Sequence, residues 1–114
     1  MKVYLAGAYG MKSWLAGAVA PAMTAAGLTV TSSWITRDFH IDSFEQMTPK
    51  KARRAAMQDR DDIQQSDTLI AFTWLPSIHG GVWWEVGYAD ALGLAVVIVG
   101  DLANVFCSFR HYVH

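Results

Sequence analysis

The chain reads as an α/β protein, a doubly wound parallel sheet of four to five strands with helices on both faces. Three observations lead to that reading. Short runs rich in β-branched and aromatic residues recur along the chain. Helix-forming stretches bounded by Gly or Thr-Pro separate them. The strand runs are apolar throughout instead of alternating, which is the pattern of strands covered on both faces, and crossover helices supply that cover.

The elements follow in order. Residues 2–8 form the first strand and end in Gly7-Ala8-Tyr9-Gly10; residues 12–26 are helix-forming until Gly27 stops them. Residues 28–35, with Thr29, Val30, Thr31, Trp34 and Ile35, read as the second strand, and residues 36–47 lose periodicity and read as a long loop of the kind that usually carries function. Thr48-Pro49 is a helix start, Thr as N-cap and Pro in the first turn, for a helix to about residue 66. Residues 67–74 are a buried strand, and Pro76 and Gly80-Gly81 bound a second loop. Residues 82–92 are helical, Gly93 caps them, and 94–99 are an apolar strand ending at Gly100. This alternation is flavodoxin-like or Rossmann-like, and ligands in such folds bind outside the carboxyl ends of the strands. Those ends are the loops at 8–12, 36–47, 75–81 and 100–104.

With 114 residues, 53% of them apolar, residues 1–114 are expected to build a single domain around one core. Nine Lys plus Arg against ten Asp plus Glu give a net charge of -1, which speaks against a nucleic acid polymer as partner. Five Trp, five Phe and four Tyr on so small a body predict aromatic area facing another subunit, hence a homodimer or higher homo-oligomer. The single Cys107 excludes an internal disulfide. The opening MKVYLAGAYG enters a strand pattern directly and no apolar run is long enough to span a bilayer, so the expected compartment is the cytoplasm, with no membrane association.

Two acids stand out. On the helix from Pro49, Ala52, Ala55, Ala56 and Ile63 mark a buried stripe at helical spacing, and Asp59 falls on it, whereas Lys50, Lys51, Arg53, Arg54, Arg60 and Asp61 form a solvated face. An inward carboxylate is either a satisfied structural acid or a working one. In Gly80-Gly81-Val82-Trp83-Trp84-Glu85, Glu85 falls in the first turn of a helix behind a diglycine, where the helix N-terminus holds a carboxylate ionised and the glycines let a ligand approach the backbone. Taken alone, Glu85 is better explained as favourable first-turn charge.

Tyr4-Leu5-Ala6-Gly7-Ala8, Asp59 eight residues before Asp67 in DRDDIQQSD, the buried strand that follows, and GGVWWEVGYADALG together resemble the nucleoside 2-deoxyribosyltransferase-like family, which also contains nucleoside 5'-monophosphate N-glycoside hydrolases. The resemblance covers nearly the whole chain. It implies an enzyme that cleaves or transfers the N-glycosidic bond of a (2'-deoxy)nucleoside or nucleoside 5'-monophosphate through a covalent glycosyl-Glu85 intermediate. Asp59 would then bind sugar hydroxyls and help protonate or orient the departing base, and Tyr4 would hydrogen-bond Glu85 and position it. Gly7, Tyr9, Gly10 and Gly81 are candidate substrate-binding positions in the two loops. His79 stands where the transferases place an acidic residue that reads the base, and is a candidate to contact base or phosphate. Ser77 is a candidate hydroxyl donor, or a simple turn residue. Lys12 and the backbone N–H groups of residues 7–12 are candidates for a 5'-phosphate. Asn104 matches the family stretch that lends a polar side chain to a neighbouring subunit's pocket, which supports a dimer.

The remaining signals carry less. His111 and His114 read as a solvated tail, so no metal is expected, and Cys107 reads as packing. Trp34 and Trp74 close strands at the ligand edge, where each either stacks on a base or packs. Gly7-x-x-Gly10 is too short for a dinucleotide fingerprint and no Walker motif follows a Gly-rich loop, so no cofactor is expected. Two other functions fit the same residues: a nucleoside 5'-monophosphate phosphoribohydrolase with a diglycine-Glu loop, and a non-catalytic nucleotide sensor.

Overall fold

A computed structural model describes residues 1–37, 48–76 and 80–100, and the backbone of 111–113. Five parallel strands, β1 (Lys2–Gly7), β2 (Thr29–Val30), β3 (Thr68–Phe72), β4 (Ala95–Val99) and β5 (His111–Val113), lie in the order β2-β1-β3-β4-β5. The expected α/β parallel sheet is present. The chain leaves β1 for β2 on one side and returns to β3 on the other, so the strand order reverses between β1 and β3. Right-handed crossovers then put the helix before β2 on one face and those before β3 and β4 on the other.

The side chains of β1 show both faces covered, since Val3, Tyr4, Leu5 and Ala6 are all buried. On one side a Cβ at Gly7 would meet Met11 Sδ at 3.0 Å and Leu15 Cδ1 at 3.6 Å, so the absence of a side chain lets the first helical layer close against the strand. That layer is α1 (Lys12–Trp14), a π-helical segment Leu15–Val19, and α2 (Ala20–Ala25). A plain helix over 12–26 was expected; the π segment was not. On the other face α3 (Pro49–Gln64) packs beside α4 (Gly81–Ala91). Thr48 caps α3 as expected, its hydroxyl accepting from Lys51 N at 3.2 Å with Pro49 in the first turn.

The second strand is much shorter than the expected 28–35. After Val30 the chain turns through a 3₁₀ segment, Ser33–Thr36, and β1 is completed by side chains instead of a ladder. Ser32 Oγ accepts from Leu5 N, and Trp34 Nε1 donates to Leu5 O at 2.8 Å. Buried peptide groups need partners, and two polar side chains supply them here. Trp34 is thereby a buried part of the core and not a platform at the ligand edge. His111, read as part of a solvated tail, instead opens β5, pairing with Val97. Ala56, placed on the inward stripe of α3, is exposed; Ala55 and Ile63 are buried and Ala52 is half-buried. No helix among the described residues is long and apolar enough to cross a membrane.

Candidate active site

The carboxyl ends of β1 and β3, where the strand order reverses, are where a doubly wound sheet opens a ligand crevice. Tyr4, on the face of β1 turned toward α3 and α4, is completely buried. Asp59 approaches from α3 and Glu85 from α4, and each of these three groups acts on the ionisation of at least one of the others. Side chains distant in sequence therefore meet in one place.

Their electrostatics follow from low polarity. Burial pushes the Glu85 carboxyl up to about 8; the Tyr4 phenol opposes the rise, the Asp59 charge adds to it, and Arg37 opposes it. Glu85 keeps some exposure as a residue, yet its Oε2 is sealed from water. Burial also raises Asp59, against the lowering pull of Arg37. The Tyr4 phenol is held well above its ordinary value, first by burial and then by the neighbouring Glu85 and Asp59 charges, so it stays protonated. Tyr4 stands close enough to favour the Glu85 anion, but neither Tyr4 Oη nor Glu85 Oε2 has a well-directed hydrogen bond among the described residues.

This corrects one expectation. Glu85 is the fifth residue of α4, counted from Gly81, so it lies beyond the first turn where the helix dipole would hold it ionised, and burial wins. Gly80, at φ 74, is the N-cap of α4, a conformation that favours glycine. Gly81 begins the helix and is exposed, and a methyl group added there would meet no heavy atom within 4 Å.

The loop after β1 places Gly7 half-buried at the strand end and Tyr9 and Gly10 exposed beyond it. Lys12, a candidate for phosphate, donates instead to the Arg37 carbonyl and stands 5.5 Å over the Tyr9 ring. Trp74 is half exposed and packs edge-on against Trp14 and Phe72 at 5.2 and 5.6 Å. Ser77, His79 and Asn104 lie outside the described residues, as do Cys107 and His114. Among the described residues no three His, Cys, Asp or Glu are gathered as metal ligands.

Sequence reasoning missed Arg37. Its Nη2 pairs with Asp59 Oδ1 at 2.5 Å, and both side chains are largely withdrawn from water. The available signal was a lone basic residue just past the second strand run, at the expected ligand edge.

The nucleoside 2-deoxyribosyltransferase family model matches residues 3–109, and the chain belongs to that family. Among solved structures it is similar to the 2-deoxyribosyltransferase of the psychrotolerant bacterium Bacillus psychrosaccharolyticus, with TM-score 0.77 and 19% identity over 100% of this chain and 86% of that one. It is also similar to a CMP N-glycosidase of Clostridium botulinum, with TM-score 0.67 and 18% identity over 99% of this chain and 88% of that one. At these identities the likeness is one of fold. The curated proteins contain no match.

Proposed function

We propose that this protein cleaves or transfers the N-glycosidic bond of a (2'-deoxy)nucleoside or nucleoside 5'-monophosphate. The observation that carries the reading is the meeting of Tyr4, Asp59 and Glu85 beside the reversal of strand order, in a chain of this family.

In this reaction a Glu85 carboxylate oxygen attacks C1' of the sugar. The C1'–N bond breaks, its electron pair leaves with the base, and the base nitrogen takes a proton from water. Water or a second base then attacks C1' and gives up its proton to the hydroxide left by the first step, the ester bond breaks, and the Glu85 carboxylate is restored. Tyr4 stabilises the attacking anion, tightening its approach as substrate binds. Asp59, on the crevice side of α3, accepts sugar hydroxyls and orients the departing base; its ion pair with Arg37 favours this role over proton donation. Gly7, Tyr9 and Gly10 after β1, and Gly81 at the start of α4, frame the substrate. A homodimer acting on a small molecule in the cytoplasm completes the reading.

Incubation with deoxynucleosides and with nucleoside monophosphates, with and without an acceptor base, tests it by chromatography. Base exchange without net hydrolysis indicates transfer, and free base from monophosphates alone indicates hydrolysis. Glu85→Gln should abolish turnover, and Asp59→Asn should cost on the order of a hundredfold in rate, the scale of lost positioning. If wild type binds nucleotides but releases no base from the whole panel, the protein is a sensor and the reaction is wrong.

A further inference from the structure

In the proposed reaction Arg37 touches neither the sugar nor the base, and its place in the fold gives it a different part. Arg37 stands at the end of the 3₁₀ segment, its N–H bonded to Trp34 O at 3.3 Å and its carbonyl held by Lys12 Nζ from α1. Its guanidinium reaches across to Asp59 on α3. Lys12, Arg37 and Asp59 therefore form a strap that ties the helical layers of the two sheet faces together over the end of β1. Such a strap fixes a cation where two acids share a poorly solvated space.

Two carboxylates in such a space do not both ionise readily, because each charge raises the cost of the other. A fixed cation on one of them changes that balance. We propose that Arg37 is a positioning residue which, paired with Asp59, offsets the charge of that carboxylate and so lets Glu85 meet a substrate as an anion. The inference deepens the proposed function and rests on it for its catalytic meaning. The groups that act on Glu85 or Asp59 among the described residues are Tyr4 from β1, Asp62 from α3, and Arg37 itself, with Lys12 behind Arg37. Arg37 is the cation among them that lowers both acids, consistent with this role.

The chain has two glutamates, Glu45 and Glu85, so carboxyl-¹³C-labelled glutamate yields two NMR signals that Glu45→Gln assigns. In wild type the Glu85 signal should titrate near about 8. In Arg37→Gln its midpoint should rise, and the acid limb of kcat/KM should move upward with it, so that lost activity returns at high pH. Arg37→Lys keeps the charge and should keep the midpoint near wild type. If Arg37→Gln does not fold, Arg37→Met provides the same neutralisation in an apolar side chain. A folded neutral variant with an unchanged Glu85 midpoint, or one that loses rate by the same factor at every pH, overturns the proposal. A wild type that releases no base defeats the proposed reaction instead, and the NMR midpoints still decide the role of Arg37.

Discussion

At the scale of single residues, Glu85 carries a conflict between stability and reaction. As nucleophile it must be ionised, but its burial favours the neutral acid and pushes it up to about 8. For free enzyme, kcat/KM should therefore rise with pH and level off above about 8, and a pH profile that is flat from 6 to 9 would contradict this assignment. The same displacement has a consequence for stability. Between the ordinary glutamate range and about 8, the folded state holds a proton that the unfolded chain has released, so stability falls as pH rises through that window. Glu85→Gln removes the titration at nearly constant size. It should melt above wild type at pH 9 and close to it at pH 5, as calorimetry at the two values can check. Of these acids, Asp59 was legible as inward-facing because helical spacing alone placed it. The charge state of Glu85 was not, because first-turn position and burial predict opposite shifts and burial depends on the whole fold.

At the scale of elements, the ends defined by nearby residues were legible and those defined by remote ones were not. Thr48 caps α3 through an N–H three residues away, which is a local interaction that sequence shows directly. The second strand was overextended because Thr31, Trp34 and Ile35 are strand-forming, while the structure uses Ser32 and Trp34 to bond β1 peptide groups at a distance of 27 and 29 residues. Ser32 is buried, and Ser32→Ala would leave the buried Leu5 N–H without its partner. Chemical denaturation should show a loss of about 1–3 kcal/mol with an unchanged slope. A loss below about 0.5 kcal/mol would mean that the Ser32 bond is not what completes the β1 edge. The π segment at Leu15–Val19 gave no sign in the sequence, since Leu, Ala, Gly and Val there suit an ordinary helix equally well.

At the scale of the whole molecule, exposed aromatic area needs an account. Trp84 is 54% exposed and stacks on Tyr88 at 5.1 Å, and α4 is rich in apolar residues around its circumference. A helix of that kind is normally covered on all sides. The aromatic content predicted a subunit contact, and sedimentation or light scattering should give a particle of at least twice 12.6 kDa. A monomer at assay concentration would refute the homodimer and remove the basis for a shared pocket. The sheet itself was legible at this scale, because strands that are apolar throughout and separated by helices leave few alternatives.

What the amino acids determined unaided was the succession of strands and helices as far as β4, the parallel sheet they imply, the inward placement of Asp59 on α3 and the family pattern around Glu85. Each rests on local spacing or residue type, which survives without knowledge of neighbours. The strand order, the truncation of β2, the Arg37–Asp59 pair and the raised Glu85 carboxyl were decided by the tertiary structure. Partners 22 to 29 residues apart make the ion pair and the β1 edge bonds. Coulomb attraction and desolvation act through space and not along the chain, so only packing brings such groups together and sets their charge.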